Sequence, residues 1–405
     1  MKILHVNNQV RLGGAETVVR QLLRGFPGAQ LAVADGKTFP PDVHPLYPRP
    51  LARLYHTRLH GLIERAAPRK IWTDRAFRDL AKGPYDVIHL HNFHGQYASI
   101  ESLAHLARRK PIVWTFHALW GITGGCDHPR DCRRYLSACG QCPQLGRWPL
   151  GTLDDTEAQL AAKLALLADL PLHIAAPSRW LAQAVRESRV GRGWTVREIP
   201  NAVDREFADF LPAEAPSRGA AGASVLIVNR NFRDEQKGFP ITRAALEAVA
   251  RLANKRPRLI LAGENSDWAA SQLSDWECES LGYVPEPAAL AALQIRADIF
   301  LFASPAENFP CVVLEAMAAG GCVVATPTGG VVEQVEDGVS GLLAGEISGP
   351  ALAEALGLAL SDPTLRARLG ASARVRAQPE FAENIFIERY RKLYEEVLRT
   401  WRPPE

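Results

Sequence analysis

Residues 299–326 read IFLFASPAENFPCVVLEAMAAGGCVVAT. Two apolar runs, Ile299–Ala303 and Cys322–Thr326, enclose a polar loop and a helical pattern over Phe309–Ala319. Short apolar runs without alternation suit strands buried on both faces, and a helix between two of them is the parallel βαβ unit. Pro310 fits a first helical turn, where its missing N–H has no intrahelical partner to lose. The amides of Asn308, Phe309 and Cys311 and the positive helix end would then attract phosphate or sugar oxygens. Glu307 stands at the edge of the loop, and Glu315 follows about two turns further in.

The same alternation extends in both directions. Strands are predicted at Lys2–Asn8, Asp86–Phe93, Pro111–His117, Leu172–Ser178 and Thr195–Asn201, with helices at Ala15–Arg24, Gln96–Arg109 and Asp155–Leu167. The stretch LPAEAPSRGAAGA (211–223) reads as a linker. Beyond it, strands are predicted at Val225–Arg230 and Arg258–Ala262, and helices at Ile241–Leu252, Pro350–Leu360 and Asn384–Arg399. The fold class is therefore α/β, with two doubly wound parallel-sheet domains whose ligands lie outside the carboxyl ends of the strands. The expected division is 1–205, 206–382 and a closing helical segment, 383–405. Two such domains facing each other would hold a substrate in their cleft.

Composition narrows the function classes. The chain has 405 residues, of which 47% are hydrophobic and 22% charged, as in soluble globular proteins and unlike disordered chains. A net charge of +3 gives no basic field for nucleic acid. No apolar run reaches the roughly 18 residues that span a bilayer, and the first ten residues turn polar too early for a signal peptide. A cytoplasmic protein is expected, with 7 cysteines kept reduced.

Several motifs in order carry a family resemblance. SPAENFPCVVLEAMAAG with Glu307-x7-Glu315 resembles the signature of retaining GT-B glycosyltransferases of family 4. GGAE (Gly13–Glu16), WTFHALW with His117, APSRW (Ala176–Trp180), IPNAVD (Ile199–Asp204), KGF (Lys237–Phe239) and TPTGGVVEQVEDGVSGLL (Thr326–Leu343) are similar to other family blocks. The resemblance runs over most of the chain and implies the two-domain fold already read from the alternation. It also implies transfer of a sugar from a UDP- or GDP-linked donor, with retained configuration, to a saccharide or lipid-linked acceptor in polysaccharide synthesis. By the same resemblance Glu307 binds hydroxyls of the transferred sugar and Glu315 the nucleotide ribose. Lys237 binds the diphosphate with a basic partner upstream, Arg230 or Arg233. His117 reaches the donor sugar. Gly13 and Gly14, and the backbone from Asn308 through Phe309 and Pro310 to Cys311, approach the donor.

The residue types suit that chemistry. A departing nucleoside diphosphate gathers negative charge, which cations and helix amides stabilise. Asp-x-Asp occurs nowhere, so Lys237 and Arg230 stand where a bridging metal would, and no catalytic metal is expected. The alternatives are a non-catalytic sugar-nucleotide-binding protein, or a hydrolase or phosphorylase of the same fold.

Two features fall outside transfer chemistry. Cys126-x5-Cys132-x6-Cys139-x2-Cys142 sits in a Gly- and Pro-containing insert, 121–146. Four such cysteines suggest a structural Zn²⁺ site; an Fe–S cluster, His128 as a substitute ligand and plain reduced thiols stay open. Residues 49–78 carry eight Arg and Lys, with Leu51, Leu54, Tyr55, Leu59, Leu62 and Ile63 at helical spacing. This stretch reads either as a helix packed on its own domain or as a peripheral contact with an anionic membrane.

Overall fold

A computed structural model describes residues 1–10, 13–35, 43–46, 69–94, 97–214, 223–252 and 256–404. Residues 49–68 of the basic stretch, and most of the 211–223 linker, lie outside that set. Two compact units are present: Met1–Ile199 together with Ile387–Glu405, and Pro200–Phe386. Each contains one parallel sheet with helices between its strands, so the predicted α/β doubly wound class is what the chain adopts.

In the first unit the strands are β1 (Ile3–Gln9), β2 (Gln30–Asp35), β3 (Val43–Pro45), β4 (Val87–Leu90), β5 (Ile112–Thr115), β6 (Leu172–Ala176) and β7 (Thr195–Glu198). Their spatial order is β3-β2-β1-β4-β5-β6-β7. Helix α1 (Gly14–Gly25) follows β1, and α2 (Arg69–Leu80) precedes β4. Where described, the basic stretch is part of this core: Thr73 and Phe77 of α2 are buried, and the Phe77 ring meets Phe93 edge-on at 5.8 Å. Helix α3 spans Ile100–Ala107, later than its predicted start, because Ser99 is the N-cap and its hydroxyl accepts from the amide of Ser102. Helices α4 (Thr156–Leu167) and α5 (Arg179–Glu187) complete the unit before β7.

The second unit begins with α6 (Arg205–Ala208) and contains β8 (Ser224–Asn231), α7 (Phe239–Leu252), β9 (Arg258–Glu264), α8 (Ser266–Ser271), β10 (Cys278–Ser280) and α9 (Pro287–Arg296). It continues with β11 (Ile299–Phe302), α10 (Cys311–Ala318), β12 (Cys322–Ala325), α11 (Val331–Gln334), β13 (Leu342–Leu343), α12 (Gly349–Ser361) and α13 (Pro363–Glu380). Strand order is β10-β9-β8-β11-β12-β13. Strand β11 shows why its sequence is apolar throughout. Ile299 and Leu301 pack in one hydrophobic cluster, while Phe300 and Phe302 pack in another. Successive side chains leave opposite faces, and here both faces are covered.

The last helix, α14 (Glu383–Thr400), leaves the second unit and packs on the first. Its buried stripe includes Tyr390, Leu393, Tyr394 and Val397. Two hydroxyls on that stripe satisfy polar atoms in the sheet: Tyr394 pairs with His89 Nδ1, and Tyr390 with Thr115 Oγ1, each at 2.7 Å. Thr115 Oγ1 in turn lies 2.7 Å from His89 Nε2. No helix of the described residues is long and apolar enough to cross a membrane.

Deleting the Tyr394 hydroxyl leaves buried His89 Nδ1 unpaired, which costs about 1–3 kcal/mol. Tyr394→Phe is therefore expected to lower the urea midpoint of the first unit by a corresponding amount. Leu398→Ala, at a position 41% exposed, serves as the control on the same helix. Equal midpoints for Tyr394→Phe and the parent protein would contradict this account.

Candidate functional site

In an open parallel sheet, loops after adjacent strands diverge where the strand order reverses, and the crevice between them is the natural ligand site. The second unit reverses between β8 and β11. The loop after β8 delivers Lys237, and the loop after β11 delivers Glu307. Lys237 Nζ donates to Glu307 Oε1 at 2.7 Å, with the two side chains 30% and 17% exposed. Burial alone would lower the lysine's pKa, but the Glu307 charge and hydrogen bond outweigh it, and the net shift is upward. Lys237 is thus a fully charged ammonium at neutral pH.

Close backbone contact fixes this pair. Gly238 has φ +76, and a Cβ there would lie 1.9 Å from the Ala303 carbonyl oxygen. Gly329, at φ +47, would place a Cβ 1.8 Å from the Glu307 carbonyl oxygen. The loops after β8 and β12 therefore clasp residues 303–307 from two sides, as only Cβ-free positions allow. Hydrogen bonds complete the clasp. Ser304 Oγ donates to the Gln236 carbonyl at 2.9 Å, and Thr326 Oγ1 donates to the Ser304 carbonyl at 2.8 Å. The Gly330 amide donates to the Asn308 carbonyl at 2.7 Å.

This clasp also corrects the predicted helix start. Helix α10 begins at Cys311, with Pro310 as its N-cap at ψ 125, outside the helical turn. Asn201 Nδ2 donates to the Phe309 carbonyl at 2.8 Å, and the Val313 amide goes to the Pro310 carbonyl instead, at 3.3 Å. The Phe309 ring is a packing group, buried against Phe381 at 5.8 Å. Glu315 lies in the second turn of α10 and is half-buried, as is Cys311. Of the two arginines, Arg230 bears electrostatically on Lys237, whereas the Arg233 guanidinium lies over the Trp268 ring at 5.4 Å.

The first unit reverses between β1 and β4. Gly13 caps α1 beyond β1, and Gly14 opens that helix. Buried Glu16, in its first turn, accepts from Asn7 Nδ2 at 3.2 Å and from Asn92 Nδ2 at 3.4 Å, joining the ends of both strands.

Behind this carboxylate runs a chain of imidazoles. His5 Nδ1 lies 3.1 Å from His91 Nε2, and His91 Nδ1 lies 3.3 Å from His117 Nε2. Burial holds His5 down to about 3 and His117 to about 4, and keeps His91 well below the usual value, so the chain is neutral at pH 7. A neutral imidazole has one N–H and one lone pair, so three in series admit two directions. One direction leaves the last N–H on Nδ1 of half-buried His117. The other leaves it on His5 Nε2, a buried atom without a partner among the described residues. Orphan buried N–H groups are rarer than under-satisfied acceptors, so the hydrogen-bond network assigns the N–H to His117 Nδ1.

His5, His89 and His91 bring ligand nitrogens within 4.8 Å of one another. Both His89 nitrogens already engage hydroxyls, which argues for a hydrogen-bonded cluster and against a metal centre. Glu16 was legible only as part of GGAE. The imidazole cluster had one signal, His89-x-His91, with His89 on β4 in register opposite His5 and His91 just past the strand's end.

Comparisons with known proteins agree with this architecture. Residues 12–207 match the family model described as Glycosyltransferase Family 4, and residues 225–376 match that described as Glycosyl transferases group 1. The N,N'-diacetylbacillosaminyl-diphospho-undecaprenol alpha-1,3-N-acetylgalactosaminyltransferase of Campylobacter jejuni is 30% identical over 153 residues, 38% of this chain and 40% of that protein. A phosphatidyl-myo-inositol mannosyltransferase of Mycobacterium leprae is 26% identical over 394 residues, 95% of this chain and 93% of that protein. Three curated relatives are spanned over only 59%, 40% and 39% of their length. Sucrose-phosphate synthase from Thermosynechococcus elongatus superposes with a TM-score of 0.73 at 21% identity, over 99% of this chain and 100% of that one. Anabaena Alr3699/HepE, solved in complex with UDP and glucose, gives 0.68 at 18% identity, over 98% and 100%. These likenesses establish the GT-B fold.

Two outcomes test the geometry. Gly238→Ala must displace the Ala303 backbone, so its thermal midpoint should fall by several degrees; an unshifted midpoint would refute the clasp. The pH dependence follows from the imidazoles. Their folded pKa values lie below the unfolded 6.5, so they contribute stability above about pH 6.5 that is lost as pH falls and the unfolded chain takes up protons. Each imidazole adds a slope of up to about 1.4 kcal/mol per pH unit. Urea midpoints followed by tryptophan fluorescence should drop steeply from pH 7 to pH 5, and a flat profile would mean that the imidazoles titrate normally.

Proposed function

Because the chain belongs to the glycosyltransferases of family 4 and group 1, we propose that it moves a glycosyl group from a nucleotide-diphosphate sugar to a saccharide or lipid-linked saccharide. The reaction retains anomeric configuration and serves polysaccharide or glycolipid synthesis. One observation carries this reading: the Lys237–Glu307 pair, clasped at the point where the second sheet reverses. A cation there suits a diphosphate, and an adjoining carboxylate suits sugar hydroxyls.

The chemistry can be followed residue by residue. The donor diphosphate offers Lys237 a second anionic partner, with Arg230 beside it and the positive end of α10 nearby. Lys237 turns from Glu307 to the phosphates, and Glu307 turns to the hydroxyls of the sugar. As the glycosidic C–O bond breaks, negative charge grows on the leaving phosphate, where these fixed charges are already in place. The departing phosphate takes the acceptor's proton, and the acceptor oxygen bonds on the face the phosphate leaves. Glu315 holds the ribose. Gly13, Gly14 and the backbone from Asn308 to Cys311 let the donor approach closely. His117 offers its Nδ1–H to an oxygen of the donor sugar, its tautomer held by His91 and His5. UDP is the leading nucleotide because Alr3699/HepE was solved with UDP and with UDP-glucose, and GDP is the competitor to be measured beside it.

Thermal-shift titration with UDP, GDP and ADP should single out one nucleotide. At about 100 times its dissociation constant, that nucleotide adds about 2.7 kcal/mol of stability. Glu315→Ala should weaken its binding about tenfold or more, as loss of a charged hydrogen bond requires. Glu307→Ala should leave nucleotide affinity within about twofold yet remove most turnover. Lys237→Ala should cost about 10²–10³ in kcat, the scale of one lost transition-state donor. Stereochemistry is read by NMR of the product; inversion would overturn the retaining assignment, and silence with every nucleotide would overturn the reading as a whole.

A further inference from the structure

Between β5 and α4 the chain runs from Phe116 to Asp155 with only two three-residue 3₁₀ turns, Trp120–Ile122 and Arg134–Leu136. From Arg130 to Pro149 not one residue is buried. Fixing a backbone costs about 1–2 kcal/mol per residue, and apolar burial normally offsets it. Here Tyr135 and Cys139 reach the core of the first unit and are only half-buried, so the order of the stretch needs another source. Small segments in that position are held by cross-links or metals.

The four cysteines stand where such a staple would act. Cys126, Cys132, Cys139 and Cys142 line one cavity together with Tyr135 and Gly140. None of the seven cysteines forms a disulfide. Cys139 and Cys142 bracket a two-residue turn in which Gln141 takes φ +47, a left-handed value rare for a residue with a Cβ. Beyond that turn the Gln144 amide donates to Cys142 Sγ at 3.4 Å. The surrounding shell is already bonded. Asp154 accepts from the Cys142 amide at 2.8 Å, and Arg134 donates to the Gly140 carbonyl at 3.0 Å. At the base of the loop, buried Lys163 Nζ donates to the carbonyls of Trp120 at 2.5 Å and Thr123 at 2.9 Å.

We propose that these four thiolates bind one Zn²⁺ as a structural site that orders residues 126–142. Four sulfurs at one tetrahedral ion form a closed site with no position for a substrate, as structural zinc requires. Binding exchanges four S–H protons for four Zn–S bonds, with no change in oxidation state. No three of the four sulfurs lie within 4.8 Å of one another, so binding one ion requires these side chains to draw together.

The test uses the full chain, purified in the presence of a phosphine reductant and without chelator. About one zinc per chain is expected by elemental analysis. Cys139→Ser/Cys142→Ser should lose it, while Cys278→Ser, outside the cavity, should keep it. Should the double variant fail to fold, the parent protein still decides. Loaded with Co²⁺ alone, it should show thiolate-to-cobalt charge transfer and the intense visible bands of a tetrahedral site, with four fewer thiols open to titration. A protein that takes up neither metal, with all its cysteines titrating alike, overturns the proposal. Bound iron with acid-labile sulfide overturns it equally.

Discussion

Both sheets reverse their strand order beside their own first strand, and those reversals are where the carboxylates of Glu16 and Glu307 are held. Elsewhere the strands are sealed by helices on both faces, and their side chains are spent on packing. At β1/β4 and at β8/β11 the connecting loops part, and side chains at the strand ends meet across the gap. Glu16 is held there by Asn7 and Asn92, and Glu307 by Lys237. A carboxylate at each reversal follows from topology: these are the places in either sheet where a charge can be desolvated on one side and still reach a ligand on the other.

The two reversals are made rigid by different means. In the second unit, backbone meets backbone, with Gly238 against Ala303 and Gly329 against Glu307, so the loop holding Glu307 has almost no room to shift. In the first unit, side chains do the holding through the sequence His5, His91 and His117. Buried polar groups are costly unless paired. Here each imidazole meets part of its neighbour's requirement, and the hydroxyls of Tyr394 and Thr115 meet both requirements of His89. The arrangement makes the direction of a proton at His117 depend on His5, a residue on a strand two places away in the sheet.

The sequence was legible mostly where the signal was local, although the inner strand β2 (Gln30–Asp35) was missed. Unbroken apolar runs such as Ile299–Ala303 marked strands covered on both faces, and their alternation with helical patterns was enough for the α/β class. Short edge strands escaped, because β3, β10 and β13 are too brief to build a run. Helix α10 was placed two residues early. Its true start depends on Asn201 and Gly330, which lie about 108 and 22 residues away from the carbonyls they take. The imidazole chain was opaque for the same reason: His5 lies on β1, while His91 and His117 lie just past the ends of β4 and β5, so they meet only once the sheet is assembled. The Lys237–Glu307 contact, by contrast, joins two motifs that were each readable alone.

That contrast bears on how the stability of the molecule is divided. Residues 303–308 are buried or half-buried, and clasped by neighbouring loops, so their geometry is inherited from the sheet beneath them. The segment from Arg130 to Pro149 inherits less, since none of its residues is fully buried and its ties to the core are half-buried Tyr135 and Cys139 and a hydrogen bond from Gly140 to Thr156. A loop ordered by the core cannot be altered without disturbing the core. A loop ordered by its own four sulfurs can change length and surface while the sheet stays as it is. The proposed metal would therefore separate two demands that compete in a compact domain: a donor site that must not move, and an exposed segment free to diverge.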